Sequence, residues 1–218
     1  MNASGRMATM IEASRAPGRA TVALYWIPLG AGSRVPTVKW SGRLYERLSA
    51  RRQTRPALDL YHAALEICVD DLTYAIEMAP AWGQRDTDRG VTVSGPVGFR
   101  ALGRIALFRY EVRRWPGGVI PDRAFAVGDP LVVTTSAETA HRVMSAVDEL
   151  PRYTWGRDEV HCRDMWNSNS VVAFLFARAG VRTDAITPPP GGRAPGWRAG
   201  LVAAAQTKAS TGGHEQTR

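Results

Sequence analysis

The stretch Asn167-Ser168-Asn169-Ser170 followed by Val171-Val172-Ala173-Phe174-Leu175-Phe176-Ala177-Arg178-Ala179-Gly180 constrains this chain most. Small polar residues open the run and a glycine closes it. Asn167 or Ser168 is placed to cap the first free N–H groups. Gly180 is placed to end the helix in a left-handed conformation. Only Arg178 is charged between them, so the helix is apolar nearly all round and has to be buried. A fold that buries one short helix needs a sheet or other helices on several sides of it.

The rest of the chain supplies mainly strands. Ala20–Pro28 is β-branched and aromatic and reads as a first strand. Ser41 is placed to cap a helix running through Arg51. Leu58–Val69, the pair Asp70-Asp71 and Leu72–Met78 read as a hairpin. Val91–Ser94, Ile105–Trp115 and Asp129–Thr135 read as further strands. Ser136 is placed to cap a helix through Leu150, with Glu138 in its first turn. The Pro/Gly-rich stretch Pro188–Trp197 is too stiff for regular structure, with Trp197 expected to anchor it. The sum is an α+β fold: a mostly antiparallel sheet packed on a buried helix. The expected organisation is a disordered segment over 1–19, a single domain over 20–204 and a disordered tail over 205–218.

Composition narrows the function classes. The formal net charge is +8, and all 28 basic residues are arginine except Lys39 and Lys208. The arginines are spread along the chain without a recognisable nucleic-acid module, which makes nucleic acid an improbable partner. Cys68 and Cys162 form no CxxC pair, so neither a disulfide framework nor a metal site is expected. Free thiols fit a reducing cytoplasm. The first 19 residues carry arginines but no apolar core of a secretory signal, and no run approaches a membrane span. No cofactor motif stands out. Gly30-Ala31-Gly32-Ser33 lacks the lysine and spacing of a phosphate loop.

Two residues carry the catalytic expectation. Ser170 lies near the front of the buried helix, where the dipole and free N–H groups favour developing negative charge. His62 interrupts an otherwise apolar strand. Such a histidine is commonly a packed core residue and alternatively a base. The order His62 then Ser170 resembles the permuted papain-like group, which includes NlpC/P60-type hydrolases and lecithin:retinol acyltransferase-like enzymes. In that group a strand histidine precedes a nucleophile helix by about a hundred residues. Leu60-Tyr61-His62-Ala63-Ala64-Leu65-Glu66-Ile67 resembles the histidine strand, and Asn169-Ser170 the helix start. Asn-Ser-Asn-Ser-Val-Val, with Pro-Gly-Gly-Arg-Ala-Pro-Gly-Trp after it, also resembles bacterial proteins of this kind. The likeness covers roughly Leu58 to Trp197.

That resemblance implies a circularly permuted papain-like domain and a hydrolase or acyltransferase acting on an amide or ester. Ser170 would be nucleophile, His62 general base, and Asn169 an aid to the acyl oxygen. Glu77 or Glu66 would be candidates to orient the imidazole. The substrate, whether small molecule, lipid or peptide, is not specified. The family nucleophile is a cysteine, and a serine lacks a thiol's partial ionisation. An inactive domain kept as a binding or scaffold module is therefore the alternative. Alternation also puts Tyr61, Ala63, Leu65, Ile67 and Val69 opposite His62. If that face packs on the buried helix, His62 points away from Ser170, unless a bulge near Tyr61 or packing on both sides intervenes.

Overall fold

A computed structural model describes residues 20–32, 37–81 and 90–212. The expected disordered segment 1–19 and residues 213–218 lie outside these. The strands are β1 (Thr21–Pro28), β2 (Asp59–Val69), β3 (Leu72–Pro80), β4 (Val91–Pro96), β5 (Arg109–Pro116), β6 (Leu131–Thr134) and the two-residue β7 (Gly192–Arg193). The helices are α1 (Thr37–Arg52), α2 (Ala137–Ala146), α3 (Ser168–Ala179) and α4 (Trp197–Gly212). The sheet order is β4-β5-β3-β2-β1-β6, and every neighbouring pair is antiparallel. Only β7 runs parallel, beside the start of β2. The fold is α+β with a mostly antiparallel sheet.

The β2–β3 hairpin follows from its turn chemistry. Asp70 and Asp71 both hold positive φ, at 51° and 60°. Two left-handed residues in a row make the tight turn whose twist matches antiparallel strands, and aspartate tolerates that region. Strand β2 then pairs with β1 from Thr21↔Cys68 to Pro28↔Tyr61 without a register shift. No bulge interrupts it.

The sheet is covered on both faces. One face offers Val22, Leu24, Trp26, Ala63, Leu65, Ile67, Ile76 and Val112 to α2, α3 and α4, including Val171, Phe174 and Leu175 of α3. The opposite face carries a smaller cluster of Ala23, Tyr25, Ile27, Ala64 and Ala75 under Ala31 and Ile120. A strand buried on both sides has no polar face to offer, which is why β1 reads as a continuous apolar run.

Three expectations are corrected. Helix α1 begins at Thr37, so Ser41 lies inside it rather than at its cap. The strand expected from Ile105 begins at Arg109. Residues 105–108 instead close 3₁₀ turns, with Ile105 N–H bonded to Leu102 O and Phe108 N–H to Ile105 O, each at 2.9 Å. The tail expected to be disordered from 205 is helical through Gly212. Its alanines are good helix formers, and Ala199, Ala203 and Ala204 bury against the core. At Gly200 an added Cβ would lie 2.1 Å from the Ser170 carbonyl oxygen, so α4 approaches α3 backbone to backbone.

Candidate functional site

The front of α3 is a polar knot in which Asn169 Oδ1 alone among the Asn167, Asn169 and Ser170 side-chain polar atoms is buried without a partner. Asn167 caps the helix, its Oδ1 accepting from Asn169 N–H at 2.9 Å and Ser170 N–H at 3.3 Å. In return the Ser170 hydroxyl accepts from Asn167 N–H at 3.0 Å, completing a reciprocal capping box. The same hydroxyl lies 2.7 Å from Gly196 O and 3.0 Å from Met165 O, and its one proton serves those two carbonyls. Ser170 is fully buried. Asn169, equally buried, donates to Pro195 O at 2.7 Å and Tyr61 O at 3.0 Å. Asn167 also donates to Pro195 O, at 2.8 Å. Gly196 N–H donates to Asp164 at 2.8 Å, and burial pushes the Asp164 carboxyl up. The Asn-Ser-Asn-Ser run and the Pro/Gly-rich run are therefore two halves of one hydrogen-bonded joint. Trp197 anchors that joint, its ring 5.6 Å from Trp26 and 6.3 Å from Phe176.

The structure does not bring His62 to this joint. In the β1–β2 register His62 stands opposite Ile27, and Ala64 opposite Tyr25. Ile27, Tyr25 and Ala64 belong to the cluster on the sheet face away from α3. Tyr61 and Ala63 take the α3 face. The unbroken register leaves no bulge to turn the imidazole round, and covering the second face does not alter its direction. A nucleophile and base must meet within hydrogen-bond reach, and Ser170 and His62 lie on opposite sides of the sheet. Burial alone pushes the His62 imidazole down to about 4, so it is neutral at neutral pH. The N–H groups of Asn169 and Ser170, expected to steady an acyl oxygen, are already taken by Asn167.

The face that holds His62 has its own charged groups. Glu66 accepts from Arg123 at 2.7 Å and from the Tyr25 hydroxyl at 3.4 Å, with the Arg123 guanidinium over the Tyr25 ring. Glu77, directly across from Arg113 in the β3–β5 pairing, accepts from it at 3.3 Å. Arg113 is fully buried and also donates to Glu111 at 3.1 and 3.2 Å and to Pro80 O at 3.2 Å. Burial pushes the Glu77 carboxyl up, against the pull of Arg113. The two acids considered as partners for His62 are thus committed to arginines.

Burial pushes the Cys162 thiol up, away from thiolate. His141 makes an exposed contact with Asp70 at 3.3 Å, and His214 lies outside the described residues. Among the described residues no group of three or more His, Cys, Asp or Glu side chains is arranged to hold a metal ion. Among the same residues no helix is long and apolar enough to cross a membrane.

A concave surface lies elsewhere. A cleft of about 520 Å³ runs between α1 and the start of β2. Leu29, Leu58, Leu60 and Tyr61 give it apolar walls, and Arg43 and Arg47 stand at its rim. Glu46 in the same wall is neutralised by Arg55 and Arg193 and accepts from Leu58 N–H at 3.0 Å. Arg43 and Arg47 make no ion pair among the described residues, and Asp59 in the same wall offsets one of them, so the cleft keeps a small positive balance. Sequence reading missed this cleft because helix and strand reach it from distant parts of the chain. No family model, curated protein or solved structure matches the chain.

Proposed function

We propose that this chain is a binding module, a permuted papain-like domain in which the helix-front serine holds the fold together instead of attacking a substrate. One observation carries the reading. The Ser170 hydroxyl is consumed by its capping partners, and the sheet stands between it and His62. The proposed kinship is supported by the order of the β2–β3 hairpin ahead of the buried helix and by the two motifs at the joint. Hydrolase chemistry through Ser170 and His62 would require β2 to shift by one residue, which would turn its whole apolar set outward.

The ligand class this reading favours is a small amphipathic anion in the α1–β2 cleft, with an apolar body against Leu29, Leu58 and Leu60 and a negative group near Arg43 and Arg47. The test combines two assays on the full chain. Ester and amide hydrolysis should show no difference between wild type, Ser170→Ala and His62→Ala. Calorimetric titration with a medium-chain fatty acid should show binding that weakens in an Arg43→Gln, Arg47→Gln double variant. Hydrolysis that disappears in both Ser170→Ala and His62→Ala, with the variants still folded, would overturn the reading.

A further inference from the structure

We propose that the tip of the β4–β5 hairpin docks on an anionic lipid surface. Residues Val97–Phe108 extend beyond the last β4–β5 pair, Pro96↔Arg109, and are closed at the base by Val97 N–H to Phe108 O at 2.8 Å. Two 3₁₀ turns, Arg100–Arg104 and Ala106–Phe108, fill the tip, and neither contains a buried residue. Phe99 is 63% exposed, Ile105 52% and Leu107 58%, with Phe108 beside them. All six residues from 104 to 109 are exposed. Single exposed apolar residues are ordinary, but four large ones within ten positions of one ordered turn are not. The tip's backbone bonds close internally, at Leu102, Ile105 and Phe108 N–H, so the apolar side chains are held outward on a formed structure.

The charge around the tip decides the partner. Arg100, Arg104 and Arg109 alternate with the apolar residues, and the Arg157 guanidinium lies 5.6 Å from the centre of the Phe99 ring. Glu159 is taken by Arg100 at 2.8 Å. Among the described residues Arg104 and Arg157 have no carboxylate partner. Apolar side chains flanked by arginines, two of them without a carboxylate partner, match an interface that is hydrocarbon below and phosphate above. A nucleic acid would use the arginines but give Ile105 and Leu107 nothing to contact. The net charge of +8 would steer the chain to such a surface. This proposal does not depend on the role of Ser170 or of the α1–β2 cleft.

The experiment is co-sedimentation of the full chain with vesicles of phosphatidylcholine alone and of phosphatidylcholine with phosphatidylserine. Binding is expected only to the anionic vesicles, and salt should weaken it. Arg104→Gln and Arg157→Gln should each reduce it by about fivefold. Phe99→Ser with Leu107→Ser should reduce it by about tenfold or more. Thermal melts matching wild type would show that these exposed substitutions leave the fold intact. No binding to the anionic vesicles, or binding untouched by both sets of variants, would overturn the proposal. So would tip variants that instead dissolve an oligomer seen by sedimentation velocity, since the patch would then be a contact between copies.

Discussion

Replacing Ser170 by alanine separates a structural hydroxyl from a catalytic one. The side chain is fully buried, accepts from Asn167 N–H and donates to one of two carbonyls, of which Gly196 O is nearer. Alanine leaves one N–H and one C=O without partners at a position closed to solvent. Each buried orphan costs about 1–3 kcal/mol, so Ser170→Ala should destabilise the chain by about 2–6 kcal/mol. For a domain of this size that corresponds to a fall in melting temperature of roughly 4–24 °C. Ser136 supplies the control. It caps α2 by accepting from Thr139 N–H at 3.3 Å, but in the open. Water replaces it there, and Ser136→Ala should cost about 1 kcal/mol. Urea unfolding of the two variants side by side is the assay. A Ser170→Ala loss no larger than that of Ser136→Ala would refute the knot as a structural element.

His62 predicts a pH dependence. Its folded value near 4 lies below the ordinary value of 6.5. Above 6.5 both states are neutral and His62 has no effect. As pH falls from 6.5 towards 4 the unfolded chain takes up a proton that the folded chain refuses, and stability falls by at most about 1.4 kcal/mol per pH unit. His62→Gln should flatten that part of the urea-unfolding profile, and an unchanged slope would place the imidazole in water. Arg113→Ala should destabilise by about 3–5 kcal/mol in thermal unfolding, because it strands Glu77 and takes one partner from Glu111. Gly200→Ala reverses the usual helix preference: alanine is favoured intrinsically by about 1 kcal/mol, but its Cβ meets the Ser170 carbonyl. A net loss of about 1–3 kcal/mol is expected, and a gain would show that α4 can retreat from α3.

The legible parts of this fold are the local ones. Asp70-Asp71 between two apolar runs specifies a turn and hence the β2–β3 pairing. Asn167 and Gly180 mark both ends of α3 within a residue. The face of His62 was also written in the sequence, since alternation along β2 opposes it to Tyr61, Ala63 and Leu65. What remained open was whether a bulge intervened, and only the register against β1 answers that. Other features are non-local. Arg113 meets Glu77 through a register between strands 36 positions apart. The acceptor for the Ser170 hydroxyl is Gly196 O, 26 residues onward, so proline and glycine there read as loop chemistry rather than as acceptors. Helix α4 was missed because alanine and glycine carry little apolar periodicity. Beyond Trp197, its packing depends on close approach to α3 through small residues such as Gly200 and Ala203.

The most direct test of the central claim is a fluorophosphonate labelling map of the native chain, read by peptide mass spectrometry. With the Ser170 hydroxyl tied to backbone groups of Met165, Gly196 and Asn167, none of them a base, the peptide bearing Ser170 should emerge unlabelled in wild type and in His62→Ala alike. A phosphonylated Ser170 in wild type that vanishes in His62→Ala would contradict it.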